Sequence, residues 1–369
     1  MSKIRYVLGI SGGKDSTALA IYLKTKYPQL NIEYYFCDTG KELDETYHLI
    51  DNLETFLGKK IEKLNAAKGS PEDPFDHFLD LYGGYLPSAN ARWCTKKLKL
   101  EPFEKFVHDD PVISFVAIRG DENREAYVSK KQNIQSIFPF RRNIWSEDVV
   151  RLVLSMQNLG KLIDAYNLQA SQDTKIQSTV LEIAKRPLSM NYNQDRKLND
   201  LLMADTTLFN QVVFAFLKET QYALAQVDSF PLLGNDEVLT IDDVFRILRE
   251  SGVGVPAYYE KLEFEVDGKK GYYSRSRSGC YFCFFQQKIE WIWLYEKHPE
   301  LFKKAMQYEK DGYTWMNNER LENIIKPERI KKIKTEQLYR LSCHPNANSS
   351  YLVDIIQEAE GEGCTACFI

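Results

Sequence analysis

The chain has 369 residues, 48 basic and 52 acidic side chains for a formal charge of −4, and a hydrophobic content of 44%. That composition excludes a disordered, collagenous or low-complexity chain, and at roughly 100–200 residues per domain the length implies two domains, or one with a large insertion. Because the whole is acidic, any nucleic-acid surface must be a local basic patch.

The opening Met-Ser-Lys-Ile-Arg-Tyr-Val-Leu-Gly-Ile-Ser-Gly-Gly alternates like a strand and lacks the apolar core of a signal peptide. The longest apolar run, Val212 to Leu217, falls far short of the roughly 20 residues of a membrane span. A cytoplasmic protein with no membrane partner is expected, so its seven cysteines point to metal, catalysis or packing before disulfides. Residues 4–10 read as a buried strand, 16–26 as a helix, 31–37 as a strand and 43–57 as an amphipathic helix stopped by Gly58. A short strand at 60–64, a helix at 95–108 and a buried strand at 112–119 follow. Strands alternating with helices imply right-handed crossovers and a doubly wound parallel sheet, whose ligands bind beyond the carboxyl ends of the strands. The expected fold class is therefore α/β.

From about 150 to 235 the periodicity is helical, and Asp267-Gly268 marks a hairpin within 261–273. Helices are expected at about 287–296, 299–311, 326–341 and 350–359. The domain reading is a nucleotide-binding core at 1–149, a helical insertion at 150–235, a continuation of the core at 236–300, and a helical, cysteine-bearing region at 301–369.

Ser11-Gly12-Gly13-Lys14-Asp15-Ser16 lies where the first strand becomes a helix. Adjacent glycines permit positive φ and let a phosphate reach the backbone. The N–H groups and the helix N-terminus then attract an anion. Lys14 adds a charge and Ser16 a hydroxyl, in a pattern that is neither a Walker A loop nor GxGxxG. A bare Gly-Gly turn is also a common tight connection, but the full string resembles the PP-loop of the ATP pyrophosphatase superfamily. That resemblance implies an adenine nucleotide alpha hydrolase-like fold and cleavage of ATP between the α and β phosphates. Asp38-Thr39-Gly40 with Glu42 and Glu45-Thr46, the segment Arg92 to Lys99, Arg119 to Arg124, and Thr240 to Phe245 running into Val255 to Tyr259 are similar to the phosphoadenosine-phosphosulfate (PAPS) reductase branch.

The resemblance implies that Ser11, Gly12, Gly13, Lys14, Asp15, Ser16, Asp38, Thr39, Gly40 and Glu42 bind ATP. Ser11, Lys14, Asp15 and Arg119 would act in catalysis, with Mg²⁺ near Asp15 or Glu42. Arg92, Lys96 and Arg119 would hold phosphate, although Lys96, Lys97 and Lys99 also read as a solvated helix face and Asp38 as a turn residue.

Cys37 continues a buried strand and reads as core; Cys94 faces the site or packs. Cys280-Tyr-Phe-Cys283 and Cys364-Thr-Ala-Cys367 are two CxxC pairs, together a tetrahedral S₄ set for zinc or an iron–sulfur cluster, unless the terminal pair is a frayed tail. Cys343 is a spare ligand. Ser278 to Lys288 resembles the cysteine segment of iron–sulfur members of the superfamily, which include adenylylsulfate reductases and the DndC and SspD proteins of DNA phosphorothioation. This implies a [4Fe–4S] cluster on Cys280, Cys283, Cys364 and Cys367. Two reductase features are not present as such: a tandem cysteine, here Trp93-Cys94, and a Glu-Cys-Gly-Leu-His terminus.

Lys326 to Lys334 concentrates five basic residues against one acid. It offers Arg329 and Lys332 to a phosphate backbone, or else a charged face to solvent. Arg275 and Arg277 precede the first CxxC. The expected function is an ATP pyrophosphatase that adenylates a DNA phosphate for sulfur insertion, in phage defence. Its expected partners are DNA, a cysteine desulfurase and other proteins of the modification system. The alternatives are sulfonucleotide reduction, tRNA thiolation, or a nucleotide-binding scaffold without turnover.

Overall fold

The computed structural model of the protein describes residues 4–122, 131, 133–169, 173–316 and 319–343. It is a mixed α/β structure with an all-parallel five-stranded sheet in the order β3-β2-β1-β4-β5. The strands are β1 (Arg5–Gly9), β2 (Ile32–Asp38), β3 (Ile61–Asn65), β4 (Val112–Phe115) and β5 (Ile134–Ile137). Their connections carry α1 (Lys14–Lys26), α2 (Asp44–Leu57), α3 (Pro74–Leu81) and α4 (Glu101–Val107). β4 is buried along its whole length, as a sheet covered on both faces requires. α2 buries Thr46, Leu49, Ile50, Leu53 and Leu57, spaced as one helical stripe, and ends at Gly58, whose φ of 63° lets its N–H reach Glu54 O.

Two departures from expectation concern the sheet. The strand expected over 112–119 stops at Phe115, and residues 116–119 run on as buried chain. β5 carries Gln135 and Ser136, a polar pair that hides a strand from a hydrophobicity reading. Both are buried, and the Gln135 carboxamide oxygen accepts the Leu224 N–H at 3.0 Å.

The chain divides into two compact units. The first comprises the described residues of Met1–Gly9, Tyr22–Tyr34 and Val107–Asp243. It contains β4, β5 and the expected helical block: α5 (Glu147–Val153), α6 (Leu159–Leu168), α7 (Thr174–Lys185) and α8 (Gln194–Leu217). Asp173 caps α7 by accepting the Lys175 and Ile176 N–H groups, and Asn193 caps α8 through Arg196 N–H. α8 is two helices joined at Asp205, whose extended backbone and carboxylate, accepting Leu208 N–H at 2.9 Å, restart the helix. It is long and apolar enough by composition to cross a membrane, but half of its most apolar stretch is buried inside the protein. Asn210 accepts the Trp145 indole N–H at 2.9 Å and donates to Leu233 O at 3.2 Å, so a buried amide ties α8 to the chain around it.

The second unit comprises the described residues of Ile10–Ile21, Tyr35–Phe106 and Val244–Ile369. The expected hairpin is present as β6 (Leu262–Val266) and β7 (Lys269–Tyr273), turning through Asp267 at φ 50° and Gly268 at φ 74°. α9 (Ile241–Glu250) leads into this unit, which also holds α10 (Lys288–Lys297), α11 (Pro299–Gln307) and α12 (Pro327–Cys343). The helix expected at 350–359 lies outside the described residues. Much of the aromatic content packs here: Phe282 meets Phe75 at 4.5 Å and Trp315 at 4.7 Å, and Phe75 meets Trp93 at 5.3 Å between ring centroids. Buried Glu290 accepts the Ser276 N–H and Oγ–H at 2.7 and 2.8 Å and the Gln287 N–H at 2.8 Å. That carboxylate clasps both ends of the 276–287 segment and fixes the cysteine turn between them.

Candidate functional site

The nucleotide loop leaves β1 and enters α1 with Gly12 at φ 71°. A Cβ on Gly12 would stand 2.2 Å from Thr46 Cγ2, and one on Gly13 2.5 Å from Ser278 Oγ. α2 and the 278 segment therefore approach the loop too closely for any side chain. Ser11 N–H donates to Ser16 Oγ at 3.1 Å, Gly13 N–H to Ser11 Oγ at 3.4 Å, and Lys14 N–H to Tyr259 Oη at 3.3 Å. These bonds lie at or beyond the long end of the N–H···O range, and an ionised phosphate oxygen is a stronger acceptor than any of the three hydroxyls. Tyr258 Oη donates to Gly12 O at 3.0 Å, and Ser278 Oγ lies 3.5 Å from Ser11 Oγ. The Lys14 ammonium sits 3.0 Å from the Asp15 carboxylate and 5.3 Å from the Tyr259 ring centroid, and both charged side chains are buried.

Residues 11–16 thus form one cluster, joined by Thr46, Tyr258, Tyr259 and Ser278, none of which the sequence reading placed in the site. Their signal was present in the segments that carry the family resemblance, but spacing alone does not say that they converge on one loop.

Beside the loop, Asp38 Oδ1 accepts the Gly40 N–H at 2.9 Å and the Tyr47 hydroxyl at 2.8 Å, so it serves as a turn residue. Glu42 accepts Thr39 Oγ1–H at 2.7 Å, Lys41 N–H at 3.1 Å and Tyr47 Oη–H at 3.2 Å. Burial, with the Asp38 charge adding to it against the Thr39 hydrogen bond, raises the Glu42 carboxyl to about 7. Lys41, which the sequence did not single out, bridges Asp73 at 2.7 Å and Asp76 at 2.6 Å.

Cys280 lies on the same shelf. Its Sγ is 3.2 Å from Thr39 Oγ1, its backbone bridges that of Glu42, and Cys283 N–H closes the turn onto Cys280 O at 3.2 Å. Burial first, and the Glu42 carboxylate after it, push the Cys280 thiol far above its ordinary range. Burial also pushes the Cys37 thiol up to about 12, in keeping with a core role. Cys94 is half-buried.

The described residues do not by themselves fit the implied metals. Two thiols on one turn are half of an S₄ site, and no group of three His, Cys, Asp or Glu side chains able to hold an ion occurs among the described residues. Cys364 and Cys367 lie outside them. Asp15 is paired with Lys14, and Glu42 accepts hydrogen bonds from Thr39, Lys41 and Tyr47.

The predicted cations separate. In the first unit Arg119 is fully buried and held by Asp121 at 2.9 Å and Glu122 at 2.7 Å, an arginine already neutralised by neighbours. Arg275 corrects the expectation of a surface contact: it is 1% exposed, and its Nη2 donates to Cys280 O at 3.1 Å and Gln286 Oε1 at 3.2 Å. It braces the cysteine turn. Arg92, Lys96 and Lys332 are exposed.

Arg329 is committed to Glu319 through two bonds of 2.5 and 2.8 Å, and Lys288 adds a third at 2.6 Å. These partners, Arg329 first, hold the Glu319 carboxyl down at about 2 against an ordinary 4.5. A depressed acid stabilises the fold above its unfolded value and loses that contribution as pH falls through its folded value. We therefore expect the urea midpoint of the wild type to fall between pH 4.5 and 2 more steeply than that of Glu319→Gln. Equal slopes would show that the clamp adds nothing to stability.

Comparison with known proteins agrees with this geometry. Residues 5–161 match the phosphoadenosine phosphosulfate reductase domain. An uncharacterized protein of Methanocaldococcus jannaschii is 34% identical over 145 residues, covering 36% of this chain and 28% of that protein. The tRNA-specific 2-thiouridylase MnmA of Actinobacillus succinogenes is 27% identical over 168 residues, covering 37% of this chain and 42% of the enzyme. The corresponding MnmA of Lactobacillus johnsonii is 26% identical, with 43% and 46% covered. The chain thus spans less than half the length of these curated relatives, and no solved structure matches it. By fold and by the matched domain, residues 5–161 are similar to nucleotide-using proteins of the PP-loop class. More particularly, the likeness is to the phosphoadenosine phosphosulfate reductase domain and lies in residues 5–161.

Proposed function

We propose that the protein is an ATP pyrophosphatase that adenylates a phosphate of DNA so that sulfur can replace one of its oxygens. The observation that carries the nucleotide half of this reading is the loop itself: glycines wedged against Thr46 and Ser278, with the Gly13 and Lys14 N–H groups turned to the hydroxyls of Ser11 and Tyr259 at 3.4 and 3.3 Å. In the proposed reaction a non-bridging oxygen of DNA attacks the α-phosphorus of ATP, the α–β bond breaks, and pyrophosphate leaves. The N–H groups of residues 11–16 and the Lys14 ammonium stabilise the charge that develops on the departing pyrophosphate. The terminal sulfur of a persulfide on a cysteine desulfurase then attacks the activated phosphorus, AMP leaves with the oxygen, and a thiol cleaves the resulting P–S–S–Cys bond, releasing the phosphorothioate and forming a disulfide with that cysteine. The exposed cations Arg92, Lys96 and Lys332 support an anionic polymer as the substrate.

A second reading, thiolation of a tRNA base by the same activation, is favoured by the thiouridylase relatives. Mass spectrometry of nuclease digests separates the two. Cells carrying the wild type should contain phosphorothioate dinucleotides, and cells carrying Ser11→Ala should lack them. Unchanged phosphorothioate in Ser11→Ala, or thiolated bases in its place, would overturn the DNA reading.

A further inference from the structure

The 276–287 segment that touches the nucleotide loop through Ser278 continues into a cavity of about 730 Å³ with a different character. Phe284 and Phe285, both half-buried, line it with ring centroids 4.3 Å apart. The Arg92 and Arg277 guanidiniums lie 5.0 and 5.7 Å from the Phe285 ring centroid. The wall contributed by α12 and the start of α10 carries Lys288, Arg329, Lys332 and Arg340 against one carboxylate, Glu336, in a protein whose net charge is −4. Lys288 and Arg329 are committed to Glu319, whereas Arg340 Nη1 donates to a neutral acceptor, Gln287 Oε1, at 3.3 Å. Lys332 and Arg340 also line a second cavity, which leads along α12 to Tyr339, 70% exposed.

The geometry points to a track for single-stranded nucleic acid, with one unstacked base against Phe284 and Phe285 and the flanking phosphates on Lys332 and Arg340. The inference rests on the nucleic-acid reading above and deepens it by naming the form of the substrate and where it lies. A duplex hides its base faces in the stack, so an aromatic pair recessed in a cavity is accessible only to a base that has left it. A volume of about 730 Å³ is that of a small-molecule cleft, roughly 300–1,000 Å³, and suits a nucleotide. A second cavity, lined by Lys331, Glu328 and Tyr339, shares Lys332, Glu336 and Arg340 with the first and extends the track along α12. Basic side chains alternating with aromatic faces are the means by which proteins hold single strands without reading their sequence.

The test uses the full chain and a fluorescein-labelled oligodeoxythymidylate of about 12 nucleotides, within the usual span of single-strand sites, followed by anisotropy. Phe284→Ala/Phe285→Ala should weaken binding about tenfold or more, the loss that removing a base–aromatic stack produces. Lys332→Glu, on an exposed side chain whose change leaves the fold alone, should also weaken binding and reduce the salt slope by about 0.7, the value of one phosphate contact on a single strand. Ser11→Ala should bind the oligonucleotide like the wild type. Wild-type affinity in both groove variants, tighter binding of the matching duplex, or no binding at low salt would overturn the proposal. Because this readout needs no ATP, failure of the track leaves pyrophosphate release standing. Failure of the adenylation reading equally leaves oligonucleotide binding to be judged alone.

Discussion

Gly12→Ala is expected to cut ATP cleavage to AMP and pyrophosphate by about a hundredfold or more, the loss that a shift of order 1 Å in a catalytic loop produces. Two costs combine at this position. The first is conformational: at φ 71° a residue with a Cβ is disfavoured by about 1–2 kcal/mol. The second is steric and larger, since the new Cβ would stand 2.2 Å from Thr46 Cγ2, on a helix stripe that is itself packed into the core. Either α2 or the loop has to move, and the loop is the softer of the two. Two further variants separate these costs. Gly58→Ala, at φ 63° with nothing within 4 Å, carries only the conformational penalty and should lower stability by about 1 kcal/mol with ATP cleavage unchanged. Gly12→Ala/Thr46→Ser removes the methyl that clashes and should recover a substantial part of the lost rate. If Gly12→Ala retains wild-type pyrophosphate release, the close approach of α2 does not shape the nucleotide loop.

The same loop shows how far a sequence can be read. Ser11 to Ser16 was legible because its chemistry is local: glycines, a lysine and a helix start follow one another along the chain. β1, β2, α2 and the Asp267-Gly268 hairpin were legible for the same reason, each carrying its own periodicity or turn residue. β5 was not, because Gln135 is accommodated by a backbone N–H 89 residues away. The direction of a long side chain was also hidden. Arg275 and Arg277 are neighbours in a pattern that suggests a basic patch, yet Arg275 turns inward to the carbonyl of Cys280 and Arg277 to the ring of Phe285. Charge is written in the sequence; whether a carboxylate has already claimed it, as for Arg119 and Arg329, is decided only by the fold.

That distinction matters most at Lys14, whose ammonium shares a buried site with the Asp15 carboxylate. Removing one member of a buried ion pair costs about 3–5 kcal/mol, so Lys14→Met is expected to be strongly destabilised as well as inactive, and its inactivity alone would say nothing about catalysis. Lys14→Met/Asp15→Asn resolves this. With both charges gone the desolvation cost goes too, and stability by urea titration should return to within about 1–2 kcal/mol of the wild type, since a neutral amide can still hydrogen-bond at the helix start. Pyrophosphate release should not return, because the loop has lost its own cation, which meets the charge that grows as the α–β bond breaks. Asp15→Asn alone makes the complementary case: the ammonium stays, but at the first residue of α1 it faces the positive end of the helix dipole with less to offset it. This variant should be less stable than the double variant, yet keep more activity. A refolded double variant with wild-type turnover would show that Lys14 serves the fold and not the reaction.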